Sequence, residues 1–168
     1  MDPTPDELAG VVDLFGALTR AELGQACAEL AFKRGDRVDA DAFESSIDDA
    51  VASYHLVAVT DHDADVDAPL LVAGPTAFAT LPDGAGDLPH ILDVPERALD
   101  RDAVVAAAED RFQEDAMLAA KAEDRERVAE LVDISYDLDA WGPVAVDGIR
   151  ERLDSVCEAR DSGEHERN

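Results

Sequence analysis

The chain has 168 residues, 40 of them acidic against 14 Lys and Arg, for a formal net charge of -26, while 46% of its residues are hydrophobic. That apolar share is enough for a packed core, so the charge does not mark a disordered chain; the length suits one domain, or a small domain with a helical appendage, better than two full domains. No apolar run approaches the ~20 residues of a membrane helix, and two cysteines, Cys27 and Cys157, make no disulfide framework and are expected as buried free thiols.

Thr4-Pro5-Asp6-Glu7 is a helix start in which Thr4 caps, Pro5 occupies the first turn and Glu7 closes a capping box. Leu8, Val11, Val12 and Phe15 follow at helical spacing, and the helix is expected to end near Ala17 or Leu18. Thr19-Arg20-Ala21-Glu22 repeats the signature for a second helix, Arg20 to Arg34, with Leu23, Ala26, Cys27, Leu30 and Ala31 inward. Lys33 and Arg34 in its last turn, with Gly35 beyond, favour a stop there. Asp39 or Asp41 caps a third helix that runs to about Tyr54, with Phe43, Ile47, Ala50, Val51 and Tyr54 on one stripe.

His55 to Thr60 and Pro69 to Ala73 read as the two strands of a hairpin around an acidic loop. From Thr19 to Ala73 the order helix, helix, hairpin is that of a winged helix-turn-helix, in which the third helix of the chain would lie in the DNA major groove. Thr76 to Leu81 is expected as a short extra strand or extended segment, and Pro82 to Asp87 as a loop and domain boundary. The predicted organisation is a winged-helix-like domain over 1–81, an irregular linker over 82–100, a helical region over 101–160 and a frayed tail over 161–168. In fold class this is mainly α with a small β-hairpin (α+β).

In the helical region, Asp100 or Asp102 opens a pattern carrying Val105, Ala108, Phe112, Ala116 and Ala119, and apolar spacing resumes at Val128, Leu131 and Val132 beyond a charged stretch. One long helix from Arg101 to Val132 is preferred over two with a break near Glu123. Ile134 to Asp139 is expected as a turn or short extended piece. Trp141, a predicted core anchor, precedes a last helix striped by Val146, Ile149, Leu153, Val156 and Cys157.

Acid is spread along the whole chain, and Lys33 and Lys121 are the only lysines. This composition resembles that of cytosolic proteins of haloarchaea, where molar salt shortens the Debye length to about 3 Å and screens neighbouring carboxylates. A cytoplasmic location is expected, since Met1-Asp2-Pro3-Thr4 carries no basic flank or apolar run of a signal sequence.

DNA reading by the third helix is disfavoured, because Asp39 to Tyr54 carries five acidic residues, no Lys or Arg, and only Ser45 and Ser46 as exposed donors. Lys33, Arg34 and Arg37 form the one basic cluster and are the phosphate contacts if DNA is bound, although a charge complement to the helix C-terminus is the favoured explanation of the cluster. Asp61, Asp63, Asp65 and Asp67 alternate as in a calcium loop, but Val66 and Val72 stand where glycine and a bidentate glutamate are needed. His62 lies in that same loop. His55, His90 and His165 have no second ligand at metal spacing, and His55 is expected as a partly buried residue between the third helix and the hairpin. No nucleophile–base pattern or phosphate-binding glycine loop is present, so no catalytic residue, metal or cofactor is predicted.

The stretch Glu7-Leu8-Ala9-Gly10-Val11-Val12-Asp13-Leu14-Phe15-Gly16-Ala17-Leu18-Thr19-Arg20-Ala21-Glu22-Leu23, with Asp48-Asp49-Ala50-Val51-Ala52-Ser53-Tyr54-His55-Leu56-Val57, resembles the opening of a small uncharacterised protein family from haloarchaea. The resemblance covers about the first third of the chain and implies a salt-rich cytosol without implying an activity. The expected function is non-catalytic: a protein–protein interaction or regulatory module that meets a protein partner, or a copy of itself, through the C-terminal helices, without a membrane. The alternative is a DNA-binding transcriptional regulator of the winged-helix type.

Overall fold

The computed structural model describes residues 2–60 and 66–165, with side chains through residue 158. The described chain is mainly α-helical with one antiparallel hairpin. Its elements are α1 Pro5–Phe15, α2 Arg20–Lys33, α3 Ala40–Ala52, β1 Leu56–Val59, β2 Leu70–Ala73, a 3-10 turn Ala85–Asp87, α4 Leu88–Ile91, α5 Arg101–Ala122, α6 Arg125–Trp141 and α7 Asp147–His165. They fall into two units, Met1–Val104 and Val105–Asn168. Among the described residues, no helix is long and apolar enough to cross a membrane.

Local chemistry fixes the helix starts of the first unit. Thr4 and Thr19 each accept from the backbone N–H three residues on, while Glu7 and Glu22 accept in return from the N–H of Thr4 and Thr19, so both predicted capping boxes are formed. Asp39 caps α3 by accepting from the N–H groups of Asp41 and Ala42. α1 stops at Phe15, earlier than its apolar pattern suggests. Gly16 turns the chain at φ +87°, and Leu18 leaves to pair with β2, its N–H and C=O bonding Leu71 at 3.1 and 2.7 Å.

Two helix ends share one geometry. At the end of α2, Gly35 takes φ +69°, and the N–H groups of Gly35 and Asp36 bond back to Phe32 and Ala31. At the end of α3, Tyr54 takes φ +62°, and the N–H groups of Tyr54 and His55 bond back to Val51 and Ala50. Both are Schellman closures. Glycine supplies the left-handed residue in one; a buried tyrosine supplies it in the other.

The core of this unit gathers Leu8, Val11, Val12 and Phe15 of α1 with Leu23, Cys27 and Leu30 of α2 and Phe43, Ile47 and Val51 of α3. α1 packs on the hairpin and on both other helices. In the hairpin, Leu56 stands opposite Ala73 and Val59 opposite Leu70. Thr76 to Leu81 forms no strand; the N–H groups of Phe78 and Thr80 instead bond the side chain and carbonyl of Asp6, and the segment crosses α1 at Gly10.

The segment 82–100, expected as a linker, continues the first unit. Ala85 and Leu88 belong to the core cluster, and Leu92 and Val94 pack against it. Proline and glycine at 82–89 make tight turns here, the Ala85–Asp87 turn and α4, which put those apolar side chains inside. The chain divides at Val104 and Val105 and not at 82.

In the second unit, the preferred single helix from Arg101 to Val132 is corrected to two. α5 ends where Glu123 takes φ +52°, with the N–H groups of Glu123 and Asp124 bonded back to Ala120 and Ala119, a third Schellman closure. Asp124 then caps α6 by accepting from the N–H of Arg127. α6 runs through Ile134 to Asp139, where a turn was expected: Ile134, Ser135 and Leu138 are buried and extend the stripe of Val128 and Leu131, while Asp133, Asp137 and Asp139 face solvent. Phe112 is fully buried in this unit, whereas Trp141, the expected anchor, is half-buried at the end of α6. Cys27 is buried as expected; Cys157 is half-buried, and both are free.

Arg150 fastens α7 to α6. Its Nε donates to Ser135 Oγ at 2.7 Å, its guanidinium lies 3.9 Å from the Tyr136 ring centroid, and Asp139 and Asp147 approach it at 3.6 and 3.1 Å. Between α5 and α6, Asp115 takes both Arg111 and Arg127 at 3.4 Å.

Two substitutions test these local arguments by chemical denaturation. A methyl at Gly10 would strike the Thr80 carbonyl, so Gly10→Ala is expected to cost about 1–3 kcal/mol. Glu123→Gly removes the left-handed strain of an exposed residue and is expected to raise stability by about 0.5–1 kcal/mol.

Candidate functional site

The three cations singled out in the sequence sit at the exposed end of α2 and just beyond it. Arg34 donates through Nη2 to the Asp83 carbonyl at 3.0 Å, which ties α2 to the turn at 82–87. Lys33 is the basic residue of the last helical turn, and Arg37 follows Asp36, whose carboxylate accepts its N–H at 2.8 Å. Arg34 is thus engaged in holding the fold.

α3 buries Phe43, Ile47, Ala50 and Val51 and turns Asp41, Glu44, Asp48 and Asp49 to solvent. Arg20, at the start of α2, reaches this face and is neutralised there, with Nη1 2.9 Å from Glu44 and Nη2 2.7 Å from Asp48. Burial of the guanidinium works against its charge, but the two carboxylates outweigh this and raise its pKa above the usual arginine value. Ser46 donates to the Ala42 carbonyl of its own helix, which leaves Ser45 as the exposed hydroxyl on this face.

At the junction of α3 and β1, a serine, a histidine and an aspartate fall in a row. His55 Nδ1 lies 2.6 Å from Ser53 Oγ, and Nε2 lies 3.6 Å from Asp6 Oδ1. Ser53 Oγ also sits 2.9 Å from the Asp49 carbonyl, the bond a serine makes back onto its own helix. A hydroxyl that gives its one hydrogen to that carbonyl receives from His55, the reverse of the proton flow that would activate it as a nucleophile. The row places Asp6 of α1 beside the end of α3, and Asp6 accepts from the Phe78 N–H.

Among the described residues, no three His, Cys, Asp or Glu side chains converge as a metal site. The aspartates at 61, 63 and 65 and His62 lie outside the described residues, as does the side chain of His165; Asp67 is exposed. His90 is in the short helix α4 and exposed. Burial, with Glu7 nearby, pushes the Cys27 thiol up to about 12, so it carries no thiolate at neutral pH.

A largely buried ion pair in the first unit was not anticipated. Arg97 and Glu22, each more than four-fifths buried, form a two-pronged pair at 2.8 and 3.0 Å. Arg97 also donates to the Ala17 carbonyl, and its backbone N–H bonds the Phe15 carbonyl at 2.9 Å. Burial would raise the Glu22 pKa, but the hydrogen bonds from Arg97 and Thr19 outweigh it and hold the carboxyl below its usual 4.5. No spacing rule links residues 22 and 97; a lone arginine in an otherwise apolar and acidic segment was the available hint.

Arg97→Ala is expected to cost about 2–3 kcal/mol, because it leaves a largely buried carboxylate unpaired. Since the folded Glu22 holds its proton less tightly than the unfolded one, the pair's contribution is present above about pH 4.5 and is lost as pH falls below it. Arg97→Ala should therefore show a shallower acid limb in denaturation across pH 2–6.

No curated protein and no solved structure matches this chain. The model of a family of unknown function, DUF7109, matches residues 6–158, nearly the whole length, and on that match the chain belongs to the DUF7109 family.

Proposed function

We propose that the protein is a non-catalytic, salt-adapted cytosolic module of haloarchaeal type, used for protein–protein interaction or regulation and built on a winged-helix-like first unit. The order α1, α2, α3, hairpin supports the winged-helix comparison, and so does the bridge from Leu18 to Leu71, which adds a strand-like residue between α1 and α2 to the edge of β2. The observation that carries the function is the outward face of α3. In a groove-reading helix this face needs donors for bases and phosphates; here it presents four carboxylates, and the cation nearest to them is consumed by two.

The DNA-binding alternative rests on Lys33, Arg34 and Arg37, and the engagement of Arg34 with Asp83 weakens it. A protein contact is better served by the second unit, where Leu118 and Tyr136 stand more than half exposed on α5 and α6. Either a second copy or a different protein can cover such side chains.

Affinity capture in 2 M KCl, combined with size-exclusion light scattering, is expected to return a dimer or a specific partner, and Leu118→Glu is expected to weaken it. A 17.9 kDa monomer that captures nothing would overturn the proposal. Chromatin immunoprecipitation is expected to give no discrete genomic peaks; sharp peaks would favour the DNA alternative. Salt adaptation predicts that raising KCl from 0.1 to 2 M lifts Tm by at least about 5 °C, the shift that roughly 1 kcal/mol produces in a small unit.

A further inference from the structure

We propose that the groove between α5 and α7 binds a single-chain anionic amphiphile, an alkyl tail carrying a carboxylate or phosphate head. The lining comes from residues 113, 116, 117, 120 and 121 on one side and 145, 148, 149, 152 and 153 on the other. The first set follows one stripe of α5 over two turns, a length of about 12 Å; in the second, Ala145 precedes α7 and residues 148–153 lie on its first turns. The cavity has a volume of about 560 Å³, within the ~300–1,000 Å³ usual for small-molecule sites between helices. Ala116, Met117, Ala120, Ile149 and Leu153 make it apolar; Gln113, Lys121 and Arg152 are its polar side chains, and no carboxylate lines it.

In a chain with 40 acidic residues and 14 Lys and Arg, an acid-free groove holding two cations calls for a physical reason. Neighbouring arginines are paired: Arg111 and Arg127 with Asp115, and Arg150 with Asp139 and Asp147. Lys121 and Arg152 meet no carboxylate among the described residues.

The two cations also share one end of the groove. Glu109 accepts from Ala145 N–H at 3.0 Å, and Gly142 lies against Val105, so α7 begins beside the first half of α5 and runs the same way. Gln113, Ala145 and Gly148 are therefore near the start, with Lys121 and Arg152 towards the far end. Two like charges gathered without a counter-ion disfavour each other, and a bound anion relieves this; the arginine fork suits a carboxylate or phosphate. The uncharged end accepts the tail. A second copy docked groove to groove would bring two more cations and no carboxylate to the same seam.

The test is titration of the full-length protein in 2 M KCl with decanoate and, separately, decyl phosphate, followed by methyl NMR. An extended ten-carbon chain is about as long as two helical turns, about 12 Å. Saturable shifts are expected at Ala116, Met117, Ala120, Ile149 and Leu153, and the tighter of the two ligands identifies the head group. The double variant Lys121→Gln, Arg152→Gln should weaken binding about tenfold, a change of about 1.4 kcal/mol. Ala120→Trp, at a half-exposed position, should abolish binding while the remaining spectrum shows a folded protein. Decyl glucoside, with the same tail and an uncharged head, should bind at least about tenfold more weakly. Absence of saturable binding by both anions, equal affinity for the glucoside, or full affinity in the double variant would overturn the proposal. So would shifts at these residues that depend on protein concentration alone, which would assign the groove to a second copy.

Discussion

The first unit depends on a pair of charges that close a loop of some 75 residues: Arg97 returns to Glu22. Glu22 is already the residue that completes the Thr19 capping box, so one carboxylate both starts α2 and receives the end of the segment that crosses the unit. The Arg97 guanidinium also reaches the Ala17 carbonyl, in the stretch between α1 and α2 where the chain would otherwise present an unused acceptor. Residues 82–100 thereby cover the core that three helices and a hairpin leave open, and Ala85 and Leu88 fill it.

The same economy governs the other arginines. Arg20 joins α2 to α3, Arg34 joins α2 to the turn at 82–87, Arg127 joins α6 to α5, and Arg150 joins α7 to α6. Acidic residues outnumber cations almost three to one in this chain, 40 to 14, so each guanidinium has a wide choice of carboxylates. Some of those used connect separate elements, as above, while Arg111–Asp115, Arg127–Glu130 and Arg150–Asp147 each brace a single helix. Arginine suits this role because its planar donors can serve two acceptors at once, which an ammonium does less well. The excess acid is left at the surface, where salt decides how strongly it repels itself.

These placements also shape the functional proposals. We propose against DNA because α3 offers carboxylates to solvent while Arg20 beside them is neutralised, whereas phosphates and bases call for donors. The second unit differs in character: there an apolar groove keeps two cations free of carboxylates, in a chain where most other described arginines are paired or bonded. The contrast separates charges that hold the fold from charges available to a ligand.

What the sequence determined by itself was whatever depends on neighbours within about one helical turn. Thr4, Thr19 and Asp39 set three helix starts, the stripes of α1, α2 and α3 named the core, and the apolar runs around residues 56–59 and 70–73 gave the hairpin. The tertiary structure decided that Tyr54 and Glu123 close their helices in the left-handed conformation, and that the break near Glu123 is real, since neither residue carries a local signal for that geometry. It also decided that 82–100 packs on the first unit and that α6 continues past Ile134, because both depend on what apolar side chains meet across the fold. The Lys121 and Arg152 end of the groove, and the Glu22–Arg97 pair, belong to this second class. Their partners lie tens of residues apart, and no short-range rule encodes a contact of that range.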